Sequence, residues 1–158
     1  MGPRAHALTK QAQRLTLPFR GRQSPRNRLL SAVGHCMPIT LTIDRERHVV
    51  YSALHGLITE AEFRQHAEKI KSHPAFDPSF SEILDCRGIT EVIVSEALLR
   101  ELAVSPSIFN AESKHVVIAP KGLIEKMATK YRGLATETRP NFAVVRTSEE
   151  AYEYLGKS

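Results

Sequence analysis

The sequence predicts an α/β domain: a single five-stranded, mixed, mostly parallel sheet with an N-terminal antiparallel hairpin and about four helices. Three observations carry this. Two strand-like runs follow each other across only three charged residues near position 45. After them, strand and helix patterns alternate one for one, which is the signature of parallel strands joined by crossover helices. The helical stretches carry their own start signals, with Thr59-x-x-Glu62 and Thr147-x-x-Glu150 both reading as capping boxes.

The elements follow in chain order. Ile39, Leu41 and Ile43 alternate with Thr40, Thr42 and Asp44, the period of a half-buried strand. Arg45-Glu46-Arg47 is a charged turn, and His48 to His55 is a second strand completing the hairpin. Gly56 is read as its end. Phe63, Ala67 and Ile70 lie on one face of the first helix, which stops before His73-Pro74 because a residue preceding proline avoids helical backbone. Phe76 and Phe80 are expected to tuck back from the next loop. Glu82 to Arg87 reads as a short buried strand bounded by Gly88. The second helix spans Ser95 to Val104, with Ser95 as N-cap and Glu96 suiting the positive first turn. His115 to Ala119 is the fourth strand. The third helix covers Lys121 to Leu134, with Leu123, Met127, Tyr131 and Leu134 on its apolar stripe. Phe142 to Val145 is the fifth strand, and the last helix carries Ala151, Tyr154 and Leu155.

Charge divides the chain in two. The whole protein of 158 residues has 22 Lys/Arg and 17 Asp/Glu, a formal net charge of +5. Seven of the basic residues and none of the acidic ones precede Met37, so the body from residue 37 to 158 is slightly acidic. Residues 1–36 admit four readings: a mis-assigned start with translation beginning at Met37, a disordered basic tail without a specific role, an Arg-rich organelle transit peptide, or an arm for nucleic acid or another anionic surface. Phe19 is their only aromatic residue, so no stacking ladder supports nucleic acid as a partner. The body has the length to bury a core unaided. Cys36 and Cys86 form no disulfide framework and read as free thiols of a reducing compartment. No apolar run approaches the ~20 residues of a membrane span. These features lead to the expectation of a cytoplasmic protein.

The order of local words resembles the STAS superfamily, and within it the SpoIIAA-like, anti-anti-sigma-factor-like group. The resemblance runs over about residues 38–156. It rests on Leu54-His55-Gly56-Leu57-Ile58-Thr59 entering the first helix, Asp77-Pro78-Ser79-Phe80 leading into Ile83-Leu84-Asp85-Cys86-Arg87, the apolar Val116-Val117-Ile118-Ala119, and the closing Ser148-Glu149-Glu150-Ala151. It implies a bacterial, non-enzymatic module acting by binding. In anti-anti-sigma factors a serine at the start of the helix after the third strand is phosphorylated by a partner kinase, and Ser95 holds the matching place. The family motif there is Asp-Ser-Ser/Thr-Gly, whereas this chain reads Ile93-Val94-Ser95-Glu96. The group also resembles the CRAL-TRIO lipid-transfer fold, an analogy at the level of fold alone.

Two function classes therefore stand. The first is a regulatory or protein-interaction domain whose switch or partner site comprises Ser95, Asp85 and Arg87. Phosphate at Ser95 would gain from the helix N-terminus; otherwise Ser95 is an N-cap worth about 1 kcal/mol. Asp85 and Arg87 share one face at the C-terminal end of a strand, where open parallel sheets bind ligands, or else form a local ion pair. The alternative is binding or carriage of a lipid or small apolar ligand in a pocket lined by Leu98, Leu102, Leu123, Met127 and Tyr131, which requires a cavity of about 300 Å³ or more. An enzyme is not expected. His48, His55, His66, His73 and His115 make no H-x-H or H-E-x-x-H pattern, so neither a metal nor another cofactor is assigned. Glycine-loop nucleotide motifs are absent, and the lysines of the third helix read as a solvated face.

Overall fold

The opening hairpin pairs β1 (Ile39–Asp44) antiparallel with β2 (Val49–Thr59) around a tight turn in which Asp44 accepts hydrogen bonds from the Arg47 backbone and guanidinium. This computed structural model describes residues 37–157; the expectations for residues 1–36, including Cys36, lie outside the described residues. After the hairpin come α1 (Glu60–Lys71), β3 (Ser81–Ile93), α2 (Glu96–Val104), β4 (His115–Ile118), α3 (Leu123–Leu134), β5 (Phe142–Val145) and α4 (Ser148–Leu155). The sheet has strand order β1-β2-β3-β4-β5, with every pair after the hairpin parallel. The α/β architecture with a five-stranded mixed sheet and four helices agrees with the sequence-based expectation.

Both faces of the sheet are covered, unequally. Leu54, Ile58, Cys86 and Val117 pack with Phe63 of α1 and Ile124 and Ala128 of α3. Val50 lies on the same face with Ile70, Phe80 and Phe109. The opposite face, Val49, Ile83, Val116 and Ile118, is covered by Ala151 and Leu155 of α4. Phe80 does tuck back, being buried against Val50 and stacked on His48.

Two strands are longer than the glycines suggested. β2 continues through Gly56, and β3 continues through Gly88 to Ile93, so the two run on as a ribbon past the end of β4. Gly88 is a close-approach residue and not a terminator: a Cβ there would lie 2.3 Å from His55 Nδ1 and 2.7 Å from the Leu54 carbonyl oxygen. Gly56 has φ of 68°, a left-handed conformation beside the second of two register shifts. At each shift β3 carries one extra residue relative to β2, as in a β-bulge. The first shift brings Ile89 to the α1–α3 side along with Leu84 and Cys86, and the second brings Val92 there. Simple alternation would have put Ile89 on the other side.

Helix termini follow the sequence closely. Thr59 and Glu62 form the capping box on α1, including a short Thr59 hydroxyl to Glu62 carboxylate contact. Ser95 caps α2 by accepting from the Leu98 amide at 3.2 Å, and Thr147 caps α4 from the Glu150 amide. The third helix starts two residues later than expected, at Leu123. Gly122 precedes it with φ of 112°. Its inner stripe is Ile124, Met127, Ala128 and Tyr131, while Leu123 is 63% exposed. One residue turns a helix by about 100°, enough to move Leu123 off the stripe that Ile124 occupies.

Candidate functional site

Between the sheet and helices α1–α3 lies a cavity of about 230 Å³. Its floor is Leu84, Cys86, Ile89 and Val92 of β3 with Val117 of β4. Its walls are Phe63 and Ala67 of α1, Leu99 and Leu102 of α2, and Ile124, Met127 and Ala128 of α3. The lining is apolar apart from His66, Glu82, Ser105, His115, Tyr131 and Arg139 and the Cys86 thiol. Pro106 is exposed yet lines the cavity, so the space reaches the surface beside Ser105 and Arg139.

The polar groups fall into two sets. Deep in the fold, Glu82 is bracketed by two histidines. His66 Nε2 lies 3.3 Å from Glu82 Oε1, and His115 Nδ1 lies 3.1 Å from Oε2. The register of β3 on β4 places Glu82 directly beside His115, and α1 carries His66 over them. Burial opposes the charged form of Glu82, but the hydrogen bonds from His115 and His66 outweigh it and hold the carboxyl well below its ordinary range. His115 is itself wedged edge-on to Phe109 and parallel to Phe142. Each imidazole meets a different oxygen of the carboxylate. Among the described residues no group of His, Cys, Asp and Glu is disposed to hold a metal ion.

Nearer the mouth, Tyr131 and Arg139 lie together, with the guanidinium carbon 5.7 Å from the ring centroid. Burial pushes the Tyr131 hydroxyl up to about 12, although Arg139 acts in the opposite sense. Cys86 is buried in the floor. Burial, with Asp85 and Glu82 adding to it, raises its thiol to about 12, so it is a packing group and no thiolate nucleophile at neutral pH.

The sequence-derived pocket residues divide. Leu102, Met127 and Tyr131 line the cavity. Leu98 is 2% exposed and packed in the core outside that lining, because Leu99 and Leu102 are the pair that face inward; Leu123 points to solvent. Cavity volume is a correction too, since about 230 Å³ falls short of the 300 Å³ expected for either a lipid or a small apolar ligand.

The residues of the surface hypothesis are not brought together with the cavity. Asp85 is on the α4 face, where it accepts from Arg87 Nε at 2.9 Å, Arg87 Nη2 at 2.7 Å, the Arg87 amide at 3.1 Å and the Tyr51 hydroxyl at 2.6 Å. Arg87 continues to Ser148 Oγ at 2.9 Å, tying β3 to the start of α4. Against the cost of burial, those bonds hold the Asp85 carboxyl down to about 2. Every lone pair of Asp85 facing its neighbours is engaged, so the pair is an internal anchor. Ser95 Oγ donates to Glu60 Oε1 at 2.6 Å while accepting from Leu98, and its amide donates to the same Glu60 oxygen at 3.0 Å. A phosphoryl group on Ser95 would displace Glu60 and stand between Glu60 and Glu96.

No local motif marks Glu82, His66, His115 or Arg139 as a set, for they come from β3, α1, β4 and the loop before β5. A signal was nevertheless present. Glu82 is in phase with Leu84 and Cys86, His115 with Val117, and His66 with Phe63 and Ile70, so each polar residue interrupts an inward-facing stripe. No protein-family model matches this chain, and no curated protein matches it in sequence.

Proposed function

We propose that this domain binds a small, mostly apolar molecule between its sheet and helices α1–α3 and does not transform it. The carrying observation is the cavity. Protein interiors close-pack, with few voids larger than a water molecule. Here about 230 Å³ is left among apolar walls that a few convergent polar groups interrupt, which is the profile of a ligand pocket. A cavity of ~150 Å³ accepts benzene, so this one suits a ligand of roughly nine non-hydrogen atoms and not a long-chain lipid. The order of elements is in keeping with the STAS resemblance, and within such a regulatory module the bound molecule would serve as the signal. Between the two expectations, the internal engagement of Ser95, Asp85 and Arg87 favours the ligand pocket over the surface switch.

The test is titration with octanamide followed by amide ¹H–¹⁵N spectra. Shifts are expected at Val117, Ala128 and Leu102, and Ala128→Leu, which fills the cavity, should abolish them while the protein stays folded. Spectra that do not move at those residues at saturating octanamide would overturn the reading.

A further inference from the structure

Resting on the pocket reading above, we infer that the ligand is an amphipathic monocarboxylate whose carboxylate is held by Arg139 at the mouth of the cavity. Arg139 is half-buried, and among the described residues no Asp or Glu carboxylate lies within ion-pair distance of it. Arginines withdrawn from water are ordinarily paired. The local structure accounts for only part of this side chain. Its Nη1 donates to the Leu102 carbonyl at 3.2 Å, the Ser105 carbonyl at 3.5 Å and Thr138 Oγ1 at 3.0 Å, which serves the open C-terminal end of α2. A guanidinium carries five N–H donors, and those on Nε and Nη2 have no partner among the described residues.

Those remaining donors form the edge that meets a carboxylate through two parallel hydrogen bonds. The guanidinium lies over the Tyr131 ring, a cation–π placement. The other carboxylate of the cavity, Glu82, is engaged by His66 and His115 and does not pair with Arg139. An apolar chain in the cavity and a carboxylate at Arg139 would therefore satisfy both parts of the site with one molecule.

The probe pair is octanoate and its neutral isostere octanamide, titrated at pH 7 by calorimetry into the full chain. Octanoate is expected to bind at least tenfold more tightly, with the preference shrinking as salt is raised. Arg139→Gln should erase the preference and retain octanamide binding, while Arg139→Lys, which keeps the charge without the fork, should retain part of it; thermal melts check that both variants fold. Equal affinity of the two probes for the wild-type chain overturns the carboxylate inference and leaves the pocket reading standing. Binding of neither probe overturns both. The wild-type comparison decides the question even if a variant unfolds.

Discussion

Glu82 and Asp85 are both carboxylates of β3, three residues apart, and they face opposite sides of the sheet. Glu82 looks into a cavity and is bracketed by two histidines; Asp85 looks toward α4 and is clamped by an arginine and a tyrosine. Arginine keeps its charge at any pH the fold meets. The filled face is thus fastened by a fixed charge pair, and the hollow face by hydrogen bonds between a carboxylate and two imidazoles. The difference teaches that one strand can carry a structural anchor on one face and the floor of a cavity on the other simply through its two-residue period.

The largest effect that could break this comparison is steric. Ala151 of α4 is fully buried against the sheet, and Ala151→Leu should cost about 2–3 kcal/mol by overpacking. Ala128→Leu adds the same atoms against the cavity and should cost less than about 1 kcal/mol. Urea denaturation of the two variants measures both, and equal penalties would mean that the two faces are packed alike. Next, Glu82→Gln should destabilise by about 2 kcal/mol through the lost charge-assisted hydrogen bonds. The sign follows from the lowered folded-state pKa: the stabilisation is complete above the unfolded value of 4.5 and declines as pH falls below it. Asp85→Asn should cost about 1 kcal/mol, a smaller figure because Arg87 is partly exposed. Its pH-dependent part should vanish between 3.8 and about 2, so stability–pH curves of the two variants separate the clamps. Smallest is Ser95→Ala, expected to lose about 0.5–1 kcal/mol as an N-cap and to leave octanamide binding unchanged. A change in ligand affinity there would link the helix start to the pocket.

Most of the fold was legible because its signals are local. Thr59, Ser95 and Thr147 each announce a helix start through their own neighbours, and the stripes of α1 and α4 repeat at helical spacing. The strand ends were misread where a glycine answers to a distant neighbour: Gly88 accommodates the Leu54 carbonyl and the His55 ring, more than thirty residues away. Leu123 and Leu98 were misplaced because a stripe read from sequence fixes the angle of a helix only to within one residue. The site was the least legible part. Glu82, His66, His115 and Arg139 meet through strand register and helix placement, and none of them sits in a motif.

The strands stand side by side in the order in which they occur along the chain. No strand must be threaded between two that are already paired, so the sheet can be assembled from the hairpin outward as the polypeptide emerges, each addition closing a comparatively local loop. Pulse-labelled hydrogen exchange during refolding should then protect the amides of β2 and β3 before those of β5. The hollow side would be enclosed once α3 docks, and α4, laid on the other face at the end of the chain, would be the final piece to settle.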